Sequence, residues 1–310
     1  MAEVKAYPKI NLGLRVMRYR PDGYHDIATV MIPLGGFHDT VTVKALPGSA
    51  AIPAGMVGGF IDPLTSTPLP CPAPRQVFPA GSVLEVSGPL AGSLADCQPE
   101  DNICMRALRL VQCEYGIGEA VIRLDKTIPT GAGLGGGSAD AAAVMRALND
   151  EFVLELSGAE LERLAARLGS DVPFFVRGGA QLCTGRGEIM TSVEVSVSDW
   201  LWLVVVKPPV AVLTAEAYAG VTPYDGGPSL VEILQRPVGQ WRGKLVNDLE
   251  TSIFARHPQI AAIKNALYDA GALYASMSGS GSALYGIFEH RPEGIAQIPG
   301  VFTHIERFSA

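Results

Sequence analysis

Apolar positions alternate loosely at the start of the chain: Val4 and Ala6, then Ile10, Leu12, Leu14 and Val16. A period of two marks a strand with one buried face, so the opening predicts strands. Arg20-Pro21-Asp22-Gly23 carries turn chemistry, with Pro presetting φ and Gly supplying a positive φ. Residues 40–43 read as a further short strand. From Asp101 the period lengthens. Ile103, Ala107, Leu110 and Val111 fall at i, i+4, i+7 and i+8, the stripe of an amphipathic helix. Ala141, Met145, Leu148 and Phe152 predict a second helix, and Leu161, Leu164, Ala165 and Leu168 a third that stops near Gly169, because Gly favours helix C-termini. Residues 120–124 read as a strand. In the second half, the apolar run 200–206 before Lys207-Pro208-Pro209 reads as a buried strand, 260–270 as a helix and 283–288 as a strand. Strands and helices mix without strict βαβ alternation, which predicts an α+β fold. Gly178-Gly179 is a soft break that puts a domain boundary just after it, giving domains 1–182 and 183–310.

Composition narrows the class. The chain of 310 residues is 48% apolar and 18% charged, a globular balance, and its formal charge is −7. That charge lacks the basic field that nucleic-acid binding needs. No apolar run approaches the ~20 residues of a membrane span, and residues 1–17 hold no signal-peptide core. Five cysteines at irregular spacing argue against a disulfide framework or zinc site and for a reducing, cytoplasmic setting. Between Lys44 and Glu85 the only charges are Asp62 and Arg75, and Pro and Gly are dense. The stretch near residues 46–82 therefore reads as a long loop or insertion. Gly is abundant, 35 residues, against about 22 at average usage.

The most informative segment is Pro129-Thr-Gly131-Ala-Gly133-Leu134-Gly135-Gly136-Gly137-Ser138-Ala139-Asp140. Five glycines let successive N–H groups turn the same way, and the helix after them adds unpaired N–H groups and a partial positive charge. This is an anion cradle, most naturally for phosphates. Ser138 either caps the helix or touches a phosphate. A Walker A loop would need a lysine after the last glycine, where Ser138 stands. Gly131, Gly133 and Gly136 match G-x-G-x-x-G, so a dinucleotide-binding oxidoreductase stays open, although no strand runs straight into the first glycine. A second cluster, Met277-Ser-Gly-Ser-Gly-Ser-Ala283, suggests that both halves converge on one ligand.

The segment Pro129-x-x-x-Gly133-Leu134-Gly135-Gly136-Gly137-Ser138 resembles the phosphate loop of the GHMP kinase superfamily. Pro8-Lys9-Ile-Asn11-Leu, Arg20-Pro-Asp-Gly-Tyr24-His25, Asp171-Val-Pro-Phe-Phe, Asn247-Asp248-Leu-Glu250 and Ser278-Gly-Ser-Gly281 extend the resemblance over nearly the whole chain, in order. They are similar to the branch that phosphorylates a diphosphocytidyl-methylerythritol. The resemblance implies a ribosomal-protein-S5-like N-terminal domain for ATP and a ferredoxin-like C-terminal domain. It implies ATP-dependent phosphorylation of the 2-hydroxyl of the methylerythritol moiety, in the non-mevalonate route to isoprenoid precursors. A GHMP kinase for homoserine, mevalonate or a sugar is the alternative. The partner would be this small molecule, with ATP as its magnesium complex and no dedicated metal ligands, and the chain a monomer or weak homodimer.

Site roles follow from the same resemblance. Asp171 would take the hydroxyl proton. Lys9 would keep Asp171 ionised and stabilise charge at the transferred group. The loop from Pro129 to Ala139, with Asn102 and Asp140, would hold ATP. Asn11 would help hold the acceptor, Tyr24 would stack on cytosine, His25 would read its edge and Tyr218 would supply the opposite ring.

Overall fold

The computed structural model describes residues 1–47, 81–195, 197, 200–224, 226–293 and 301–308; most of the Pro/Gly-rich stretch lies outside them. In chain order the elements of the first half are β1 (Ala2–Ala6), β2 (Lys9–Tyr19), β3 (His25–Pro33), β4 (Asp39–Ala45), β5 (Val83–Ser87), α1 (Ile103–Tyr115), β6 (Ala120–Asp125), α2 (Gly136–Glu151), α3 (Gly158–Ala165) and α4 (Val172–Arg177). Then come β7 (Gln181–Gly185), β8 (Ile189–Ser192), β9 (Trp202–Lys207), α5 (Thr214–Tyr218), α6 (Leu230–Leu234), α7 (Leu249–Arg256), α8 (Pro258–Asp269), β10 (Tyr274–Met277), β11 (Leu284–Phe288) and β12 (Phe302–Arg307).

The chain forms two compact units. One comprises Met1–Tyr7, His38–Ile128 and Gly136–Arg177, the other Pro8–Phe37, Pro129–Gly135 and Gly178–Ala310. They interleave along the sequence and are thus a different partition from consecutive domains 1–182 and 183–310.

In the first unit the sheet runs β1-β4-β6-β5. Its pairs are antiparallel except β5 with β6. Helix α2 lies against β1 and β4 and is flanked by α1 and α4. Its sequence explains the placement: Ala139, Ala141, Ala142, Ala143 and Ala147 let it approach closely, and Val144, Met145 and Leu148 fill the space beneath. Each of those large side chains contributes about 2 kcal/mol by leaving water. The periodicity that predicted this helix from Ala141 understates it, because its first turn is glycine and serine. Ser138 therefore sits inside the first turn and is not the cap, and Asp140 comes after that turn. Helix α1 starts where Asn102 accepts a hydrogen bond from the Cys104 amide at 2.9 Å, a cap worth about 1 kcal/mol. It ends at Gly116, whose φ is 63°.

The second unit holds two sheets, β2-β3-β7-β8 and β10-β11-β9-β12. Strand β9 is the run expected from residues 200–206. It lies between β11 and β12, so Leu203, Val204, Val205 and Val206 are all buried and no alternation is visible. Leu14, Val16 and Ile27 pack in one core with Val204, Ile253, Ile260, Leu267 and Phe288. The pairing of β2 with β3 shifts register between Leu12 and Leu14. Gly13 takes the bulge at φ 69°, where a Cβ would meet Leu245 Cδ1 at 2.8 Å. The strands β3, β7, β8, β10 and β12 had no clear sequence pattern. Ile27, Val30, Met31 and Ile32 of β3, for example, are buried without alternating. Among the described residues no helix is long and apolar enough to cross a membrane.

Candidate active site

The glycine loop is built from its carbonyls. The Ala132 carbonyl accepts from the Ala283 amide at 3.0 Å and the Leu134 carbonyl from the Lys9 amide at 2.9 Å. Between them the Gly133 carbonyl accepts from Lys9 Nζ at 3.0 Å and Ser278 Oγ at 2.8 Å. Three successive carbonyls are thus turned into the protein. Among the described residues no N–H group of residues 131–135 donates to a protein acceptor. Gly131, Gly133 and Gly135 all have positive φ, and a Cβ at Gly133 would fall 2.0 Å from the Ser278 carbonyl oxygen. Only glycine lets the two loops touch. The run continues into α2, whose first N–H groups have no intrahelical partner. The free N–H groups of the loop are the donors that an anion cradle needs, and the two glycine clusters meet within the second unit.

Behind the loop Lys9 opens β2, 3% exposed. Its ammonium donates to Asn11 Oδ1 at 2.5 Å as well as to Gly133. Asn11 in turn donates from Nδ2 to Thr29 Oγ1 at 3.0 Å and accepts from Ser278 Oγ at 3.4 Å. Its amide therefore has protein partners at both ends, and its evident work is to hold Lys9 and Ser278. Asn247, from the Asn247-Asp248-Leu-Glu250 motif, anchors the second glycine cluster through the Met277 and Gly279 carbonyls, both at 2.8 Å. Glu250 Oε1 accepts from the Met277 amide at 2.8 Å.

The Asp22-Gly23 turn presents the aromatic residues. Gly23 donates to the Arg20 carbonyl at 3.1 Å with φ at 82°, and Asp22 Oδ1 accepts from the Tyr24 amide at 3.1 Å. The Arg20 guanidinium holds the Asp22 carboxyl below its usual range. Tyr24 is left 47% exposed. His25 stacks on Tyr218 with ring centroids 4.9 Å apart and meets Tyr19 edge-on at 4.9 Å. His25 Nε2 is buried with no hydrogen-bond partner. Tyr24, His25 and Tyr218 thus gather on one side of the second unit. Two further residues join them. Tyr19 and Arg186 escaped the sequence reading, Arg186 because it is a loop cation in no motif. Its guanidinium lies 3.5 Å over the Tyr24 ring, at the tip of the β7–β8 hairpin.

The remaining candidates lie in the first unit. Asp171 is half-buried immediately before α4, whose Val172, Pro173 and Phe174 are buried. Asn102 is 6% exposed and spends its side-chain oxygen on the α1 cap. Asp140 is 2% exposed and accepts from Lys126 Nζ at 2.8 Å. Lys126 also binds Asp39. Burial alone would lower the Lys126 ammonium, but the two carboxylates outweigh it and raise it. Neither Lys126 nor Asp39 was singled out by motif, since the two are 87 residues apart. Among the described residues no group of three or more His, Cys, Asp or Glu is placed to hold a metal ion.

Comparison with known proteins defines the class. The GHMP kinases N terminal domain family matches residues 102–179 and the GHMP kinases C terminal family matches residues 230–298. A 4-diphosphocytidyl-2-C-methyl-D-erythritol kinase of Parabacteroides distasonis is 41% identical over 281 residues, covering 91% of this chain and 89% of that protein. A crystal structure of 4-(cytidine 5'-diphospho)-2C-methyl-D-erythritol kinase superposes with a TM-score of 0.68 at 30% identity, over 93% of this chain and 91% of that one. A homoserine kinase from Cytophaga hutchinsonii reaches a TM-score of 0.57 at 19% identity, over 98% of this chain and 94% of that one, and shares the fold alone. The chain belongs to the GHMP kinases and, within them, to the family of 4-diphosphocytidyl-2-C-methyl-D-erythritol kinases. The α+β reading holds, and the dinucleotide reading of Gly131, Gly133 and Gly136 falls away.

Proposed function

We propose that the protein transfers the terminal phosphoryl group of ATP to the 2-hydroxyl of 4-diphosphocytidyl-2-C-methyl-D-erythritol, a step of the non-mevalonate route to isoprenoid precursors. The observation that carries this reading is the turn at Asp22-Gly23, which presents Tyr24 under the Arg186 guanidinium and leads into His25, stacked on Tyr218. A kinase for mevalonate, homoserine or a sugar has no use for such a group, whereas cytosine offers a π-face and a polar edge to it. The identity of 41% to a relative bearing that name supports it independently.

The loop amides and the start of α2 would bind the triphosphate, with Pro129 entering the loop, Leu134 buried beneath it and Ala139 close behind. Magnesium would travel with ATP, held by phosphate oxygens and water, as suits a site poor in carboxylates. It would supply charge neutralisation at the phosphates. The acceptor hydroxyl oxygen bonds to the γ-phosphorus, the bond from phosphorus to the β–γ bridging oxygen breaks, ADP leaves, and the hydroxyl proton passes to the Asp171 carboxylate. Lys9 would stabilise the charge on the transferred group. Its hydrogen bonds to Asn11 and Gly133 hold the ammonium against the glycine loop. ADP release with the cytidyl acceptor, measured beside mevalonate, homoserine and galactose, tests the reading. Turnover confined to the cytidyl acceptor is expected; comparable turnover with any of the others would overturn it.

A further inference from the structure

The candidate phosphate loop, Pro129–Gly135, leaves the first unit at Ile128 and returns to it at Gly136. Both of those residues rest on one buried ion cluster. Asp39 Oδ1 accepts from the Ile128 amide at 2.7 Å and the Thr127 amide at 2.5 Å. Its Oδ2 pairs with Lys126 Nζ, and the same ammonium donates to Asp140 Oδ2 at 2.8 Å. At the other end of the loop, a Cβ on Gly136 would lie 3.2 Å from Lys126 Nζ and 2.9 Å from Ile128 Cγ2. The start of α2 is therefore pressed against the ammonium and against the residue before the loop. We infer that Lys126 is a positioning residue: with Asp39 and Asp140 it staples the two ends of the loop together and presets the loop for the phosphates of the nucleotide. The inference rests on the reading of this loop as the nucleotide site.

The cluster has the properties a staple needs. Lys126, Asp39 and Asp140 are between 0% and 2% exposed, so their pairing is neither screened by salt nor traded for water. One ammonium faces two carboxyls. Asp39 has the Thr127 and Ile128 amides in addition to Lys126, whereas Asp140 Oδ1 is buried without a partner. The proton that balances the cluster thus belongs on Asp140, whose carboxyl burial pushes up to about 8. The facing Cys104 thiol, raised further by burial, stays neutral. A neutral, internally paired cluster cannot be pulled apart without leaving a charge bare, so the loop ends stay fixed when no nucleotide is bound. The ordering that binding would otherwise require is already done.

The test is Lys126→Met in the full chain, with two readouts: steady-state constants for ATP and acceptor, and hydrogen exchange of the loop amides without nucleotide. We expect KM for ATP to rise about tenfold, with kcat and acceptor KM changed less than about threefold. Exchange across residues 129–137 should quicken about tenfold while β9, β10 and β11 keep their protection. A fall in kcat at unchanged KM for ATP, or faster exchange everywhere, would mean only a lost folded fraction and would overturn the staple. If Lys126→Met yields no folded protein, Asp39→Asn keeps the shape and gives the same two readouts; unchanged loop exchange there overturns the proposal. Direct titration of wild type with ATP separates the two readings. Nucleotide binding without transfer to the cytidyl acceptor is a failure of the acceptor assignment alone, and absence of nucleotide binding overturns both.

Discussion

Two lysines, Lys9 and Lys126, are buried to the same degree and differ in what surrounds their ammonium groups. Lys126 is held by Asp39 and Asp140, and its charge is cancelled on the spot. Lys9 donates to the Asn11 amide oxygen and the Gly133 carbonyl, and so ties β2 to the glycine loop. The first arrangement stiffens a piece of backbone. The second holds an ammonium against a loop whose own N–H groups make no hydrogen bond to the protein among the described residues. Burial alone does not distinguish a structural lysine from a chemical one; the segments that its ammonium joins do.

That contrast can be broken by experiment. The largest effect belongs to the proposed proton acceptor: Asp171→Asn should lower kcat about a thousandfold with the dissociation constant of ATP nearly unchanged. A coupled ADP assay beside an ATP titration checks both halves. Lys9→Met should lower kcat about a hundredfold, whereas Lys126→Met acts on KM for ATP; the same change of kcat and KM in both variants would erase the distinction drawn above. Tyr24→Ala should raise KM for the cytidyl acceptor about tenfold, as loss of one stacked ring implies, and leave KM for ATP alone. Arg186→Met, which uncovers the Tyr24 ring, should raise the same constant by a smaller factor, about threefold.

A separate effect is on stability against pH. Asp140 holds its proton far more tightly folded than unfolded, because burial lifts its carboxyl to about 8 from an ordinary value near ~3.9. Its contribution is therefore complete below about pH 4 and lost as pH rises through about 8. The melting temperature of wild type should fall relative to Asp140→Asn between about pH 5 and about pH 9. Parallel curves would show that Asp140 does not carry the proton. At fixed pH, Asn102→Ala should cost about 1 kcal/mol through loss of the α1 cap, read in urea unfolding.

Much of this was legible in the chain. The glycine loop, the Arg20-Pro-Asp-Gly turn and the stripes of α1 and α2 are local features, governed by dihedral freedom and periodicity over a few residues. They came through with errors of position only: α2 begins at Gly136 and not at Ala141, because glycine and serine carry no apolar signal. Strand β3 and the β7–β8 hairpin were obscure, since pairing partners far away in sequence dictate which faces are covered. The candidate site divides in the same way. Lys9, Tyr24, His25 and Asp171 stand in short motifs. Arg186 stands in none, and its ring contact depends on a hairpin tip reaching Tyr24.

By itself the amino-acid sequence determined the membership of the chain, the glycine loop and the turn that displays an aromatic pair, because each is written in contiguous residue types whose backbone options are few. Only the tertiary structure decided that Asp39 meets Lys126 across 87 residues and that Asn11 serves its neighbours at both ends. It alone showed that the Ala132, Gly133 and Leu134 carbonyls face inward so that the loop amides face out. Those are matters of burial and of pairing between distant groups, and the strength of an ionic or hydrogen-bonded contact is set by the surroundings that folding creates.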